Sequence, residues 1–460
     1  MALVLGIDSS TQSCKALLVD AATGRVLDEG RASHPSGSEV DPQAWIDALD
    51  EATAGLIERA DAVSIAGQQH GMVALDKNDE VVRPALLWND TRSAQAAKDL
   101  NEEIGGEQAA VEATGSVYVA SITATKMRWM RDHEPDNAAR TASVMLPHDY
   151  LTWHLTGRGT KTTDHGDASG TGYYSTRDRA WRKDIAALAL GHDVDLPEIL
   201  EPAAFAGTTA SGVRVAAGTG DNAAAALGLD LQLGDVSVSI GTSGVAGMTV
   251  NNSVHDETGL VTGFADATGA YFPLACTLNG APVLEFARRI LGVEWEEFDQ
   301  LALAADPGSG GVTFQPYLFG ERTPNRPEAR GVLAGLNGAT GREDFARATV
   351  EGLLCSLDDA VSALVAATGV SVKTIQLIGG GARSQAVRDI APEIFGLDVV
   401  VPEPAEYVAL GAARQAAWAL SGQSRPPKWT VPGAEFGSVS KNTDITGRYA
   451  QLREATEGWV

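Results

Sequence analysis

Short apolar runs broken by glycine, serine, threonine and aspartate recur along this chain, and they suggest its architecture before any side-chain chemistry is considered. Leu3 to Ile7 reads as a strand, DSSTQS as a turn, Lys15 to Val19 as a second strand, AATG as a tight turn, and Arg25 to Glu29 as a third strand. A helical stretch over Pro42 to Ala60 follows, then a strand at Ala62 to Ala66 and a helix over Lys126 to Asp132. Strands and helices interleaved in this way predict an α/β chain with mixed sheets.

Near residue 235 the opening pattern returns. VSVSIGTSGVAGMTV carries a strand at Val236 to Ile240, a Gly/Ser/Thr turn and a second strand, and Gly6 to Ser10 aligns with Ser239 to Ser243. Asp8 then falls opposite Gly241. Two such copies predict two similar domains facing one another across a cleft, divided as residues 1–230 and 231–460. In TIQLIGGGARS a further strand, Thr374 to Ile378, enters three glycines, with a helix from Gln385. An alanine-rich helix starts near Tyr407, and the residues after PPKW read as peripheral.

Composition narrows the class of partner. Hydrophobic residues at 44% and charged residues at 21% are ordinary for a globular protein. Thirty-five basic against 60 acidic residues give a net charge of −25. Such a surface repels phosphate backbones and anionic lipid, so neither nucleic acid nor membrane is an expected partner. Any phosphate-bearing ligand must therefore be neutralised locally. Cys14, Cys276 and Cys355 are odd in number and widely spaced, which argues against a disulfide framework and for a reducing compartment. Asp8 interrupts the first apolar run early, and no long apolar span follows, so a cytoplasmic protein is expected.

The chain has no GxxxxGK[ST], HExxH or GxSxG motif. What it has are glycine- and hydroxyl-rich turns after strands, which can present backbone N–H groups to phosphate oxygens. In the first turn Ser9, Ser10, Thr11 and Gln12 offer donors and Lys15 a cation. Asp8 either holds Mg²⁺ through water or caps its own turn. Gly241, Thr242 and Ser243 form a similar turn, and Gly379, Gly380 and Gly381 either admit a flat ligand or pack a structural loop. AGQQHGM and LLWND place Gln69, His70, Trp88, Asn89 and Asp90 after apolar runs, and an aromatic face beside hydrogen-bonding groups suits a sugar. In GTGDNAAAALGL, Asp221 and Asn222 precede a helix. Asp221 either caps that helix or accepts the proton of a hydroxyl as phosphorus is attacked.

Taken in order, GIDSSTQSCK, GQQHG, LLWNDTR, GDNAAAALG, IGTSGV, PYLFGERTP and LIGGGARS resemble the FGGY carbohydrate kinase family, most closely its branch acting on xylulose. The resemblance implies two actin-like ATPase (ribonuclease H-like) domains facing a central cleft where ATP and sugar meet. It implies ATP-dependent phosphorylation of a ketose, D-xylulose to D-xylulose 5-phosphate, with Mg²⁺. A kinase for ribulose, gluconate or glycerol, or a non-catalytic sugar sensor, is the alternative. By resemblance Asp221 is the base and Asp8 the Mg²⁺-linked acid. Ser10, Thr11 and Lys15 lie in the first phosphate loop, and Gly241, Thr242 and Ser243 in the second. Gly379, Gly380, Gly381 and Ser384 border adenosine, with Gly280 near the nucleotide. Gln69, His70, Trp88, Asn89, Asp90 and Asn222 contact the sugar. Relatives are commonly homodimers. One departure stands out: Ser10 occupies a position where many members carry glycine.

Overall fold

The computed structural model describes residues 1–437 and 439–459. The chain packs as two units. The first comprises Met1–Leu231, Asn251–Phe272 and Ala405–Val431, and the second comprises Gln232–Val250, Pro273–Pro404 and Pro432–Val460. A single cut at 230/231 follows chain order, whereas packing returns two later segments to the first unit.

In the first unit the sheet runs Phe205–Thr208, Arg214–Ala216, Ala62–Gly67, Leu3–Ser9, Ser13–Asp20 and Val26–Ser33 in spatial order. Leu3–Ser9 pairs antiparallel with Ser13–Asp20, which sets Asp8 opposite Lys15. It pairs parallel with Ala62–Gly67, whose end also takes Thr219–Gly220 as a short parallel partner. Three chain segments therefore leave the sheet at neighbouring carboxyl ends, beyond Ser9, Gly67 and Gly220. Ligands of open α/β sheets gather at such ends.

Side-chain alternation decides what covers each face. Leu5, Ile7 and Leu18 join a core with Trp45, Leu49 and Trp153, contributed by helices Pro42–Thr53 and Pro147–Leu155. Val4, Leu17 and Val19 point the other way, onto Ala409, Ala413 and Ala416 of helix Tyr407–Ser421. Each large apolar side chain buried in this way contributes roughly 1.5–3 kcal/mol. Asp41 caps helix Pro42–Thr53 by accepting from the Gln43 amide, with proline at the first helical position. The sequence pattern carried that helix to Ala60. It stops at Thr53 because Gly55 turns left-handed at φ 72°, and a short 3-10 turn, Ile57–Arg59, follows. The helix expected over Lys126 to Asp132 spans Thr123–His133.

Helix Tyr407–Ser421 lies unusually close to its neighbours. A Cβ on Gly6 would overlap the Ala409 carbonyl, and one on Gly411 would overlap the Ala224 carbonyl in helix Asp221–Gly228.

The second unit orders its strands Leu274–Cys276, Gly244–Met248, Asp235–Ile240, Thr374–Ile378, Asp398–Pro402 and Gly433–Phe436. Asp235–Ile240 pairs antiparallel with the strand after its turn and parallel with Thr374–Ile378, the same arrangement as around Leu3–Ser9. The segment after PPKW is more than a fringe. Gly433–Phe436 extends the sheet edge, and helix Thr443–Ala455 buries Ile445 and Tyr449. No helix among the described residues is long and apolar enough to cross a membrane.

Replacing Gly411 by alanine is expected to lower stability by about 1–3 kcal/mol through overpacking. Gly447 lies inside helix Thr443–Ala455 with open space around it, so Gly447→Ala is expected to raise stability by about 0.5–1 kcal/mol. Urea midpoints followed by circular dichroism should move in opposite directions for the two variants.

Candidate active site

Asp8 sits near the carboxyl end of the first strand with 4% of its surface exposed. Burial lifts its pKa to about 6, with Glu406 adding to the rise and Lys15 opposing it. The Lys15 ammonium lies 3.8 Å from Asp8 Oδ2 and 2.5 Å from Glu406 Oε2, so it is shared between two acids. Asp8 Oδ1 is buried and meets no donor among the described residues. In the following turn the Ser10 amide and hydroxyl both donate to the Ser13 carbonyl, at 3.1 and 3.0 Å. Ser10 does not take a positive φ, so the turn does not require glycine there.

The GQQHG loop leaves the adjacent strand end. Gln69 Oε1 accepts from Asn222 Nδ2 at 2.9 Å. His70 adopts a left-handed backbone at φ 68°, a conformation that costs a non-glycine residue about 1–3 kcal/mol and that clusters at functional sites. Its Nδ1 lies 2.6 Å from the Gly170 carbonyl and donates to it, so Nδ1 carries a proton. Trp88 is 48% exposed, and its indole N–H donates to Thr11 Oγ1 at 2.9 Å. One hydrogen bond thus ties the exposed aromatic to the first glycine- and hydroxyl-rich turn. Asn89 is exposed beside it. Asp90 is buried, and its carboxylate is occupied by the Ser38 hydroxyl at 2.7 Å and the Arg92 guanidinium at 2.8 Å, which hold it ionised below the ordinary carboxylate range despite burial. It braces the Trp88–Asn89 turn from behind.

Asp221 begins the helix at the third strand end. Gly220 is the capping residue, and Asp221 occupies the first helical position, accepting from the Asn222 amide at 2.7 Å and from Asn222 Nδ2 at 3.1 Å. Burial of its carboxyl, and then the neighbouring charge of Asp8, raise its pKa to about 7. A carboxyl poised near neutrality and within reach of amide donors can take a proton from a hydroxyl.

In the second unit the Gly241 amide donates to the Ser243 carbonyl at 3.0 Å, closing the turn and leaving Thr242 exposed. Gly280 caps helix Ala281–Leu291 directly against this turn; a Cβ there would come 2.5 Å from the Gly241 carbonyl oxygen. The Ala281 amide donates to the same oxygen at 2.7 Å. Gly379 and Gly381 pack on Ile240, while Gly380 is exposed. The two glycine-rich turns therefore lie side by side at the ends of adjacent parallel strands. Ser384 caps helix Gln385–Phe395 through the Val387 amide, and its hydroxyl donates to Asp299 at 2.5 Å.

Sequence reasoning does not reach Glu406, Ser38, Arg92 or Asp299, because each meets its partner through the fold. A buried His148–Asp167 pair also escapes it, although the density of His and Asp in PHDY and TTDHGDASG is a visible signal.

Residues 3–230 match the N-terminal domain, and residues 236–420 the C-terminal domain, of the FGGY family of carbohydrate kinases. The chain belongs to this family. The chain is an α/β two-domain carbohydrate kinase, and ATP is a substrate that its family chemistry implies. A xylulose kinase from Streptomyces coelicolor is 46% identical, the alignment covering 97% of this chain and 95% of that protein. A xylulose kinase from Escherichia coli is 34% identical over 90% of this chain and 89% of that protein. The crystal structure of xylulose kinase from Bifidobacterium adolescentis superposes with a TM-score of 0.93 at 43% identity, covering 98% of this chain and 99% of that one.

Removing the Asp8 charge should ease ionisation of Asp221. In protein free of metal and nucleotide, the Asp221 carboxyl is expected to titrate near 7, and Asp8→Asn should lower that midpoint. Carbon-13 NMR of labelled aspartate reads both; an unchanged midpoint would assign the rise to burial alone.

Proposed function

We propose that this chain phosphorylates D-xylulose to D-xylulose 5-phosphate with ATP, and that Asp221 is the base. The observation that carries the reading is Asp221 itself: a carboxyl raised to about 7, joined through Asn222 to Gln69 at the end of the strand beside Asp8. The likeness to full-length xylulose kinases at 46% and 43% identity supports the choice of sugar.

In this mechanism Gln69, His70, Asn89 and Asn222 bind hydroxyls, and the exposed face of Trp88 covers the apolar side of the sugar. Asp90 holds the Trp88–Asn89 turn through Arg92 and Ser38. The sugar hydroxyl oxygen attacks the γ-phosphorus, and an O–P bond forms as the bond to the β–γ bridging oxygen breaks. The electron pair leaves with ADP, and the hydroxyl proton passes to Asp221. Much of what such a base supplies is orientation of the nucleophile. Ser10, Thr11 and Lys15 in the first unit, and Gly241, Thr242 and Ser243 in the second, are the phosphate-binding turns. Gly379, Gly380 and Gly381 border the adenosine, Ser384 sets the helix behind them, and Gly280 fixes the second turn.

Asp8 fits a divalent cation. Its Oδ1 is buried without a donor, and burial has raised its pKa, so a nearby positive charge would relieve both conditions. Asp8 would hold Mg²⁺, which when bound would neutralise phosphate charge.

Asp221→Asn is expected to cut kcat by roughly 10²–10⁴-fold, with ATP affinity by calorimetry nearly unchanged; near-normal turnover would remove the base assignment. In a coupled ADP-release assay on D-xylulose, D-ribulose, gluconate and glycerol, kcat/KM should favour D-xylulose by about tenfold or more. A higher value for any other acceptor would overturn the choice of sugar.

A further inference from the structure

Beneath the Asp221 turn lies a buried polar cluster that the phosphoryl-transfer scheme does not use. His148, Asp149, Asp164, Asp167 and Thr219 are each at most 2% exposed. His148 Nδ1 donates to Asp167 Oδ2 at 2.6 Å, with Asp149 Oδ1 3.3 Å from the same nitrogen. Asp164 caps helix His165–Ala168, accepting from the Gly166 and Asp167 amides, and its Oδ2 also accepts from the Thr219 hydroxyl at 2.7 Å.

The cluster touches the turn that carries Asp221 at consecutive residues. A Cβ on Gly218 would come 2.5 Å from His148 Cδ2 and 3.0 Å from Nε2, so the imidazole lies flush under that residue. Gly218 has φ 80°, a conformation that glycine adopts freely, and its carbonyl accepts from the buried Gln415 at 3.0 Å. Thr219 is clamped by Asp164, and two residues later comes Asp221.

We propose that His148, locked onto Asp167, is a positioning residue for Asp221, its ring forming the floor of the Gly218–Asp221 turn while Asp164 anchors that turn through Thr219. This rests on Asp221 being the base. The floor also carries charge. Burial opposes ionisation of the ring, yet the carboxylates of Asp149, Asp167 and Asp164 lift His148 well above an ordinary histidine. The ring is thus held toward its protonated form by acids that face it from its own helix and from helix His165–Ala168, with Asp221 nearby, while its buried Nε2 meets no hydrogen-bond partner among the described residues. Removing one partner of such a group leaves uncompensated buried charge, which here would push on the turn directly above. The same three side chains, His148, Asp149 and Asp167, have the donor types of a metal site. A nitrogen and an oxygen at 2.6 Å, however, are sharing a proton and leave no room for an ion between them.

The test separates charge from shape. His148→Gln removes the cation; His148→Lys retains one. In His148→Gln, kcat should fall about 10–100-fold with KM for sugar and ATP within about threefold. Hydrogen exchange in the peptide spanning residues 216–224 should accelerate about tenfold, with exchange elsewhere in the sheet unchanged. His148→Lys should recover most of kcat and of the exchange protection. A folded His148→Gln enzyme with native kcat and native exchange overturns the proposal, and His148→Lys as impaired as His148→Gln overturns the charge component. Should His148→Gln fail to fold, Thr219→Val provides the second reading. Loss of the Asp164 clamp should speed exchange at 216–224 and lower kcat without shifting KM, and native values for both overturn the proposal. Exchange does not depend on turnover, so a failed Asp221 assignment, seen in Asp221→Asn kinetics, remains distinguishable from a failed floor.

Discussion

Helix Tyr407–Ser421 approaches the first strand and helix Asp221–Gly228 at backbone distance, and much of the first unit's chemistry depends on that approach. Gly6 and Gly411 permit it, and a stripe of alanines continues it. From this position the helix serves three places. Glu406 at its start meets Lys15 and so sets the field at Asp8. Gln415 holds the Gly218 carbonyl and takes the Ser64 hydroxyl in return. Arg414 donates to the Leu227 carbonyl and pairs with Asp230 at 2.6 Å, securing the far end of the Asp221 helix. A larger residue at either glycine would move all three together.

Electrostatics around the site follow from how few cations it contains. A chain of net charge −25 holds Asp8 and Asp221 at neighbouring strand ends, and both carboxyls are raised. Burial is the larger cause for each, and each unit of pKa corresponds to about 1.4 kcal/mol of disfavoured ionisation. Lys15 answers part of that charge but is divided between Asp8 and Glu406. The turns themselves offer backbone amides and hydroxyls, which carry no formal charge and add nothing to bulk attraction of anions. Strong selection for a ligand that brings its own counter-ion is the natural result of this balance.

Much of the fold was legible because short apolar runs bounded by turn residues mark strands. The hairpin around Asp8, its second copy around Gly241 and the strand before Gly379 all stand where the pattern put them. The candidate residues that follow those strands were legible for the same reason. Boundaries were less so: nothing in the apolar period of Pro42 to Ala60 shows that Gly55 breaks the helix. Long-range pairing was not legible at all. Lys15 and Glu406 are separated by 391 positions, and no local pattern records their contact. The Ser38 and Arg92 partners of Asp90 were not legible either, because neither carries a signal of its own. The assignment of 405–431 to the first unit escaped for a related reason: a helix of alanines does not disclose which sheet it covers.

That last segment bears on the order in which the protein can be made. The sheet of the first unit is complete by residue 220, but the helix covering one of its faces lies within Ala405–Val431. A nascent chain that has delivered the first unit's strands still exposes Val4, Leu17, Val19 and Ala62 while nearly two hundred further residues are translated. Domains usually fold as units in the order they emerge. Here the first unit must wait for most of the second to be synthesised, and its apolar face stays uncovered until translation has passed Val431.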